Sequence, residues 1–258
     1  MSLPLHHQVV GEGPPLVVLH GLFGSGDNWK GFAKAFSGER QVWLLDLRNH
    51  GRSPHHPDMR YADLATDVLD WLEQHQIQHP VLLGHSMGGK TAMALALAYP
   101  ERVERLIVAD IAPVSYRHQS EHSQLIQSLK ALPLEPELTR SEADRLLAEA
   151  IPEWSIRTFL LKNLAPGPSG LHWRIPLDLL QQALPDVLEF PLAGLFRKPT
   201  LFVGGSRSNY LLPEYQQEIH NRFTQVRIVM LKDAGHWLHA EKPEAFQETV
   251  RTFLQRTA

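Results

Sequence analysis

The chain has 258 residues, with 25 Lys plus Arg against 28 Asp plus Glu, 15 His, no Cys and a formal net charge of -3. The lack of cysteine excludes disulfides, thiolate metal sites, iron–sulfur ligation and a cysteine nucleophile, so covalent catalysis must use oxygen or nitrogen. A near-neutral balance without a basic run argues against nucleic acid as partner, apolar runs far shorter than the ~20 residues that span a bilayer argue against stable membrane insertion, and residues 1–15 show no secretory signal, so a cytoplasmic location is expected.

Taken in chain order, short apolar runs bounded by turn residues predict strands at 16–20, 42–47, 81–85, 106–110, 200–204 and 227–231. They are too uniformly apolar to have one wet face, as expected of a parallel sheet buried between helix layers. Leu64, Val68, Leu69, Trp71 and Leu72 fall at helical spacing within 62–76, and an Ala-, Met- and Leu-rich helix is expected over 89–99. The segment 243–255 puts Ala245, Phe246, Val250, Phe253 and Leu254 on one stripe, with Pro243 suited to a helix start.

Between 115 and 195 the pattern changes. No clear strand is visible, prolines recur at 133, 136, 152, 166, 168, 176, 185 and 191, and the helical pieces, such as 141–150, are short. The expectation is an α/β core formed by 1–114 and 196–258, with 115–195 as a helical cap. Leaving after the fourth of six predicted strands, this insertion is placed to cover the carboxyl ends of the strands, where open α/β sheets bind ligands.

Residues 84–88 read Gly-His-Ser-Met-Gly, after the apolar run 80–83 and before a Gly-started helix. A serine between glycines at a sharp strand-to-helix turn is lifted clear of the backbone, at a helix N-terminus that favours developing negative charge. Ser86 is therefore the candidate nucleophile. An acyl oxyanion also needs preorganised donors. The loop His20-Gly21-Leu22-Phe23-Gly24 leaves the first strong strand, so the backbone N–H of Leu22 is expected to join that of Met87. His20 is read as a brace for this loop.

The base should be a late histidine on a loop after a strand. Asp233-Ala234-Gly235-His236-Trp237 fits, with His236 favoured over His239, which is expected in a surface or capping role. Asp233 is expected to hold the loop. The orienting acid is missing from its usual place, because the stretch after 200–204 reads Gly205-Ser206-Arg207-Ser208-Asn209 without a carboxylate. Asp110, at the end of the preceding strand, is the alternative, with Ser208, or else Ser206, as a fourth member. Asp46, in Asp46-Leu47-Arg48-Asn49-His50-Gly51-Arg52-Ser53, is read as part of a buried polar brace.

Lys90 could attract an anionic substrate, but a helix-surface or salt-bridged lysine is the favoured reading. The pairs His75/His79 and His118/His122 share i, i+4 spacing without the acidic residue of a zinc motif, which favours solvated surface histidines. No metal or cofactor is expected.

Four motifs thus stand in order: HGLFG at 20–24, DLRNHGRS at 46–53, GHSMGGK at 84–90 and DAGHW at 233–237. Together they resemble the α/β-hydrolase superfamily along essentially the whole chain. The Arg-Asn-His-Gly form of the second motif, GHSMGGK with its lysine, and Asp-Ile-Ala-Pro at 110–113 narrow the likeness to the YbfF-like serine esterases and thioesterases. The resemblance implies Ser86, Asp110, Ser208 and His236 as functional residues, and small acyl esters or acyl-CoA thioesters as substrates. Carbon–carbon bond cleavage on the same triad and a feebly catalytic ligand-binding receptor remain the alternatives.

Overall fold

The computed structural model describes residues 2–116 and 119–256. The first half alternates strand and helix: β1 (His7–Val10), β2 (Pro15–Leu19), α1 (Lys30–Phe36), β3 (Gln41–Leu45), α2 (Tyr61–Gln74), β4 (Val81–His85), α3 (Met87–Ala98) and β5 (Arg105–Ala109). Next come α4 (Gln119–Ala131), α5 (Arg140–Leu147), α6 (Trp154–Leu160), β6 (Leu164–Gly167), β7 (Gly170–Trp173) and α7 (Leu177–Leu188). The chain closes with β8 (Phe196–Gly205), α8 (Gln216–Arg222), β9 (Phe223–Leu231), α9 (Leu238–Glu241) and α10 (Pro243–Arg256).

Seven strands form one sheet in the order β1-β3-β2-β4-β5-β8-β9. Only β1 runs antiparallel, against β3; the other pairings are parallel. Strand alternation splits the core in two. Val17, Leu19, Leu82, Leu106 and Val108 pack with α2 and α3, whereas Leu16, Val18, Val81, Leu83 and Ile107 pack with α1 and α10. Both faces are therefore dry, which explains why the central strands read as unbroken apolar runs.

All six predicted strands form, with β8 and β9 starting four residues earlier than expected. Strand β1 escaped prediction because two of its four residues are polar and Val9 and Val10 lie exposed at the sheet edge. The expectation of no strand within 115–195 is corrected. There β6 and β7 form a hairpin, pairing Leu164 with Trp173 and Gly167 with Gly170. Its strands are four residues each and carry Pro166, Gly167 and Gly170, so they offer neither an apolar run nor regular alternation.

The end of α7 is held by α2 and α3. Tyr61 Oη donates to the Val187 carbonyl at 2.6 Å, and Lys90 Nζ donates to those of Leu188 and Glu189 at 2.8 and 3.0 Å. These are C-terminal helix carbonyls without intrahelical partners. The surface or salt-bridged reading of Lys90 is thus overturned. Lys90 is 1% exposed, its bonds run to main-chain oxygens, and burial pushes its pKa down to about 7.

Candidate active site

The turn between β4 and α3 places Ser86 at φ 52° and ψ -119°, a backbone region costing on the order of 1–3 kcal/mol for a residue with a side chain. Its surroundings enforce that conformation. A Cβ at Gly84 would lie 2.1 Å from the Gly88 carbonyl oxygen, and one at Gly88 would lie 2.3 Å from that of Leu19. The Ser86 N–H is tied to the Ala109 carbonyl at 3.0 Å, and its own carbonyl accepts from Lys90 N in the first turn of α3. The serine hydroxyl is left at the helix N-terminus, at the carboxyl edge of the sheet.

Three more strand ends converge on it. After β9, His236 brings Nε2 to 3.1 Å from Ser86 Oγ, and its Nδ1 lies 2.7 Å from Asp110 Oδ2. Asp110 follows β5, is fully buried, and is held at φ 50° with its N–H on the Val203 carbonyl. After β8, the Gly205 N–H donates to Asp110 Oδ1 at 2.9 Å, and the Ser208 hydroxyl donates to Asp110 Oδ2. The carboxylate therefore faces three donors, an arrangement that fixes its orientation without a second charge. Of the two serines, Ser208 is the one in contact with Asp110, whereas Ser206 Oγ accepts from the Asp233 N–H at 2.9 Å, bracing the loop that carries His236. Tyr210, not singled out from sequence, stacks on the His236 ring with centroids 4.1 Å apart.

Imidazoles brace the neighbouring loops. His20 Nδ1 donates to the Gly21 carbonyl and Nε2 accepts from the Leu47 N–H; His50 Nδ1 donates to the Arg48 carbonyl and Nε2 accepts from the Phe23 N–H. Each therefore crosslinks the 20–24 loop to the 46–53 loop. Asp46 accepts from the N–H groups of Gly26 and Arg52, and Arg48 forms a buried two-point pair with Asp67 on α2. His85 lies 2.9 Å, through Nε2, from the His236 carbonyl. The braced loop lies hard against the serine, since a Cβ at Gly21 would come 3.2 Å from Ser86 Cβ. Leu22, Ser86 and Met87 border one void of about 20 Å³, the size of a single water or oxygen site. The N–H of Met87, first in α3, has no acceptor in its own helix.

Above Ser86 opens a cavity of about 370 Å³, walled by apolar groups such as Phe23, Leu125, Ile151, Phe159 and Trp237, with His122 among them. A serine hydroxyl hydrogen-bonded to an oriented imidazole, beside backbone donors and beneath an apolar cavity, has the parts for nucleophilic acyl chemistry.

A family profile described as the alpha/beta hydrolase fold matches residues 14–243. The chain belongs to the α/β-hydrolase superfamily. It is 42% identical to the sn-1-specific diacylglycerol lipase ABHD11 of Mus musculus, over 93% of this chain and 81% of that protein. It is 35% identical to Esterase YbfF of Escherichia coli (strain K12), over 93% and 92% of the two chains. A solved marine microorganism esterase matches with a TM-score of 0.95 at 37% identity, covering 98% of this chain and 100% of that one. The likeness to YbfF-like esterases drawn from the motifs is thus shown along the chain.

Of the other histidines of this α/β hydrolase, His79 is exposed as expected, while His239 and His122 depart from expectation. His239 is no surface group: its ring lies flat on Trp29, centroids 4.1 Å apart at 6°. His75 and His79 do not share a helical turn, because α2 ends at Gln74; their Nδ1 atoms bond the carbonyls of Trp71 and Glu101. His118 lies outside the described residues, and His122 faces the cavity rather than solvent.

Burial pushes His50 and His239 down to about 3 and His122 to about 4, so all three are neutral in the fold. The unfolded chain takes up these protons near 6.5. Stability is therefore full above that pH and is lost as pH falls toward 4, because the unfolded state binds more protons. Urea midpoints should decline over this window. His239→Phe keeps the stack on Trp29 and should flatten the decline by up to about 1.4 kcal/mol per pH unit; an unchanged slope would contradict the neutral buried state.

Proposed function

We propose that this protein is a serine carboxylic-ester hydrolase that works through an acyl-enzyme on Ser86. The observation that carries the reading is the chain of contacts Ser86 Oγ to His236 Nε2 at 3.1 Å and His236 Nδ1 to Asp110 at 2.7 Å, at the foot of an apolar cavity. With Nδ1–H donated to the carboxylate, Nε2 carries the lone pair and takes the proton of Ser86 as Oγ attacks the ester carbonyl. The oxyanion rests on the N–H groups of Leu22 and Met87. The imidazolium then protonates the leaving alcohol, and a water activated by the same nitrogen releases the acid.

Asp110 holds the imidazole's tautomer and stabilises its charged form, while Ser208 and the Gly205 N–H hold Asp110. Residues 115–195 act as a cap on the core formed by 1–114 and 196–258, supplying Leu125, Ile151 and Phe159 to the cavity. The names of the relatives, an esterase and a diacylglycerol lipase, support small-molecule esters as the substrate class; acyl-CoA thioesters, whose carbonyl reacts through the same steps, fall within the proposal.

The test is a chain-length series of p-nitrophenyl esters and acyl-CoA thioesters. Turnover of at least one ester series, with a chain-length preference, is expected. No turnover on any member would overturn the hydrolase reading and favour a binding role for the same cavity.

A further inference from the structure

Several polar side chains that the proposed chemistry does not use line the cavity, among them Glu121, His122, Gln124 and Glu153. His122, on α4, borders both the 370 Å³ cavity and the small void shared by Leu22, Ser86 and Met87. Its Nδ1 is buried and has no hydrogen-bond partner among the described residues. Phe23 faces it, with ring centroids 6.5 Å apart. The contrast with His20 and His50 is sharp, since both nitrogens of those buried rings are bonded to the main chain.

A buried polar group without a partner costs about 1–3 kcal/mol, and one retained in a native fold calls for an explanation. Packing supplies it for His239, the other such ring, which is sandwiched on Trp29. No stacked partner does so for His122. Its ring is kept neutral by burial at any pH well above 4, so it offers one donor and one acceptor and no charge. No described residue bonds Nδ1 and so fixes the tautomer, which leaves the ring free to donate or accept.

We propose that His122 is a substrate-positioning residue, whose neutral imidazole hydrogen-bonds an uncharged oxygen function of the substrate close to the scissile ester, donating to an ether or carbonyl oxygen or accepting from a hydroxyl. This rests on the ester-hydrolase reading and names the substrate class more narrowly: esters bearing a hydroxyl, ether or second carbonyl oxygen near the reacting carbonyl, otherwise apolar. An anionic group there would meet an uncharged ring and the acidic side chains of Glu121 and Glu153 in the same cavity wall, which disfavours it. An oxygen that satisfies the imidazole recovers the cost of its isolation, worth about tenfold in kcat/KM at ~1.4 kcal/mol.

Matched substrates test it: p-nitrophenyl pentanoate against p-nitrophenyl 3-methoxypropanoate, and ethyl butanoate against 2-hydroxyethyl butanoate. The expected result is that the wild type prefers the oxygen-bearing member of at least one pair. His122→Phe, which keeps ring shape without nitrogen, should reduce that preference ratio about tenfold, and His122→Gln should restore part of it. A structural role would lower both members of a pair alike and leave the ratio unmoved, which would overturn the inference. Turnover by the wild type without discrimination in either pair would overturn it too, while the hydrolase reading stood. No turnover of any of the four esters would overturn this inference, and the chain-length series then decides the hydrolase reading separately.

Discussion

Asp110→Asn is expected to lower kcat for ester hydrolysis by about 10⁴-fold with the fold intact, the loss seen when the acid of a serine-protease triad is made an amide. Asp110 Oδ2 accepts from both His236 Nδ1 and the Ser208 hydroxyl, while Oδ1 accepts from the Gly205 N–H. An amide keeps one acceptor oxygen. If that oxygen stays on Gly205 N–H, its NH₂ faces His236 and demands a lone pair at Nδ1. The imidazole proton then moves to Nε2, where it faces Ser86 Oγ and cannot accept the serine proton. Ser208→Ala removes one of three donors and leaves the tautomer untouched, so about a tenfold loss is expected. Steady-state kinetics of the two variants separate these roles. Near-wild-type turnover in Asp110→Asn would mean that another acid orients His236.

Ser86→Ala should cost more, roughly 10⁶-fold in kcat, because it removes the attacking atom and not merely its activation. The effect on folding should be small or favourable. Alanine fits the same turn, and Ser86 Oγ has His236 as its only hydrogen-bond partner among the described residues. The residual rate reports what Leu22, Met87 and the cavity do alone. A loss of under tenfold would exclude Ser86 as the nucleophile.

Much of this site was legible in the sequence because close backbone approach leaves a residue signature. Gly84 and Gly88 are required where no Cβ fits, so the elbow showed itself in five residues. The central strands were legible because both faces are dry, and β1 and the β6–β7 hairpin were not, since edge position and four-residue length leave no periodic pattern. Asp110 came out by elimination, through the missing carboxylate after β8. What could not be read was the setting of side chains whose partners come from distant segments. Lys90 looked like a surface lysine because its acceptors are carbonyls 98 and 99 residues away. His122 looked solvated because its i, i+4 pairing and polar neighbours say nothing about a cavity walled by α6 and the 20–24 loop. Tyr210 carried no motif at all.

The most direct test of the central claim is the intact mass of the protein after treatment with a fluorophosphonate, followed by peptide mapping. An activated serine on the His236–Asp110 pair predicts rapid addition of a single phosphonyl group, mapped to Ser86 and absent from Ser86→Ala. Failure to label, or equal labelling of wild type and Ser86→Ala at another residue, would contradict it.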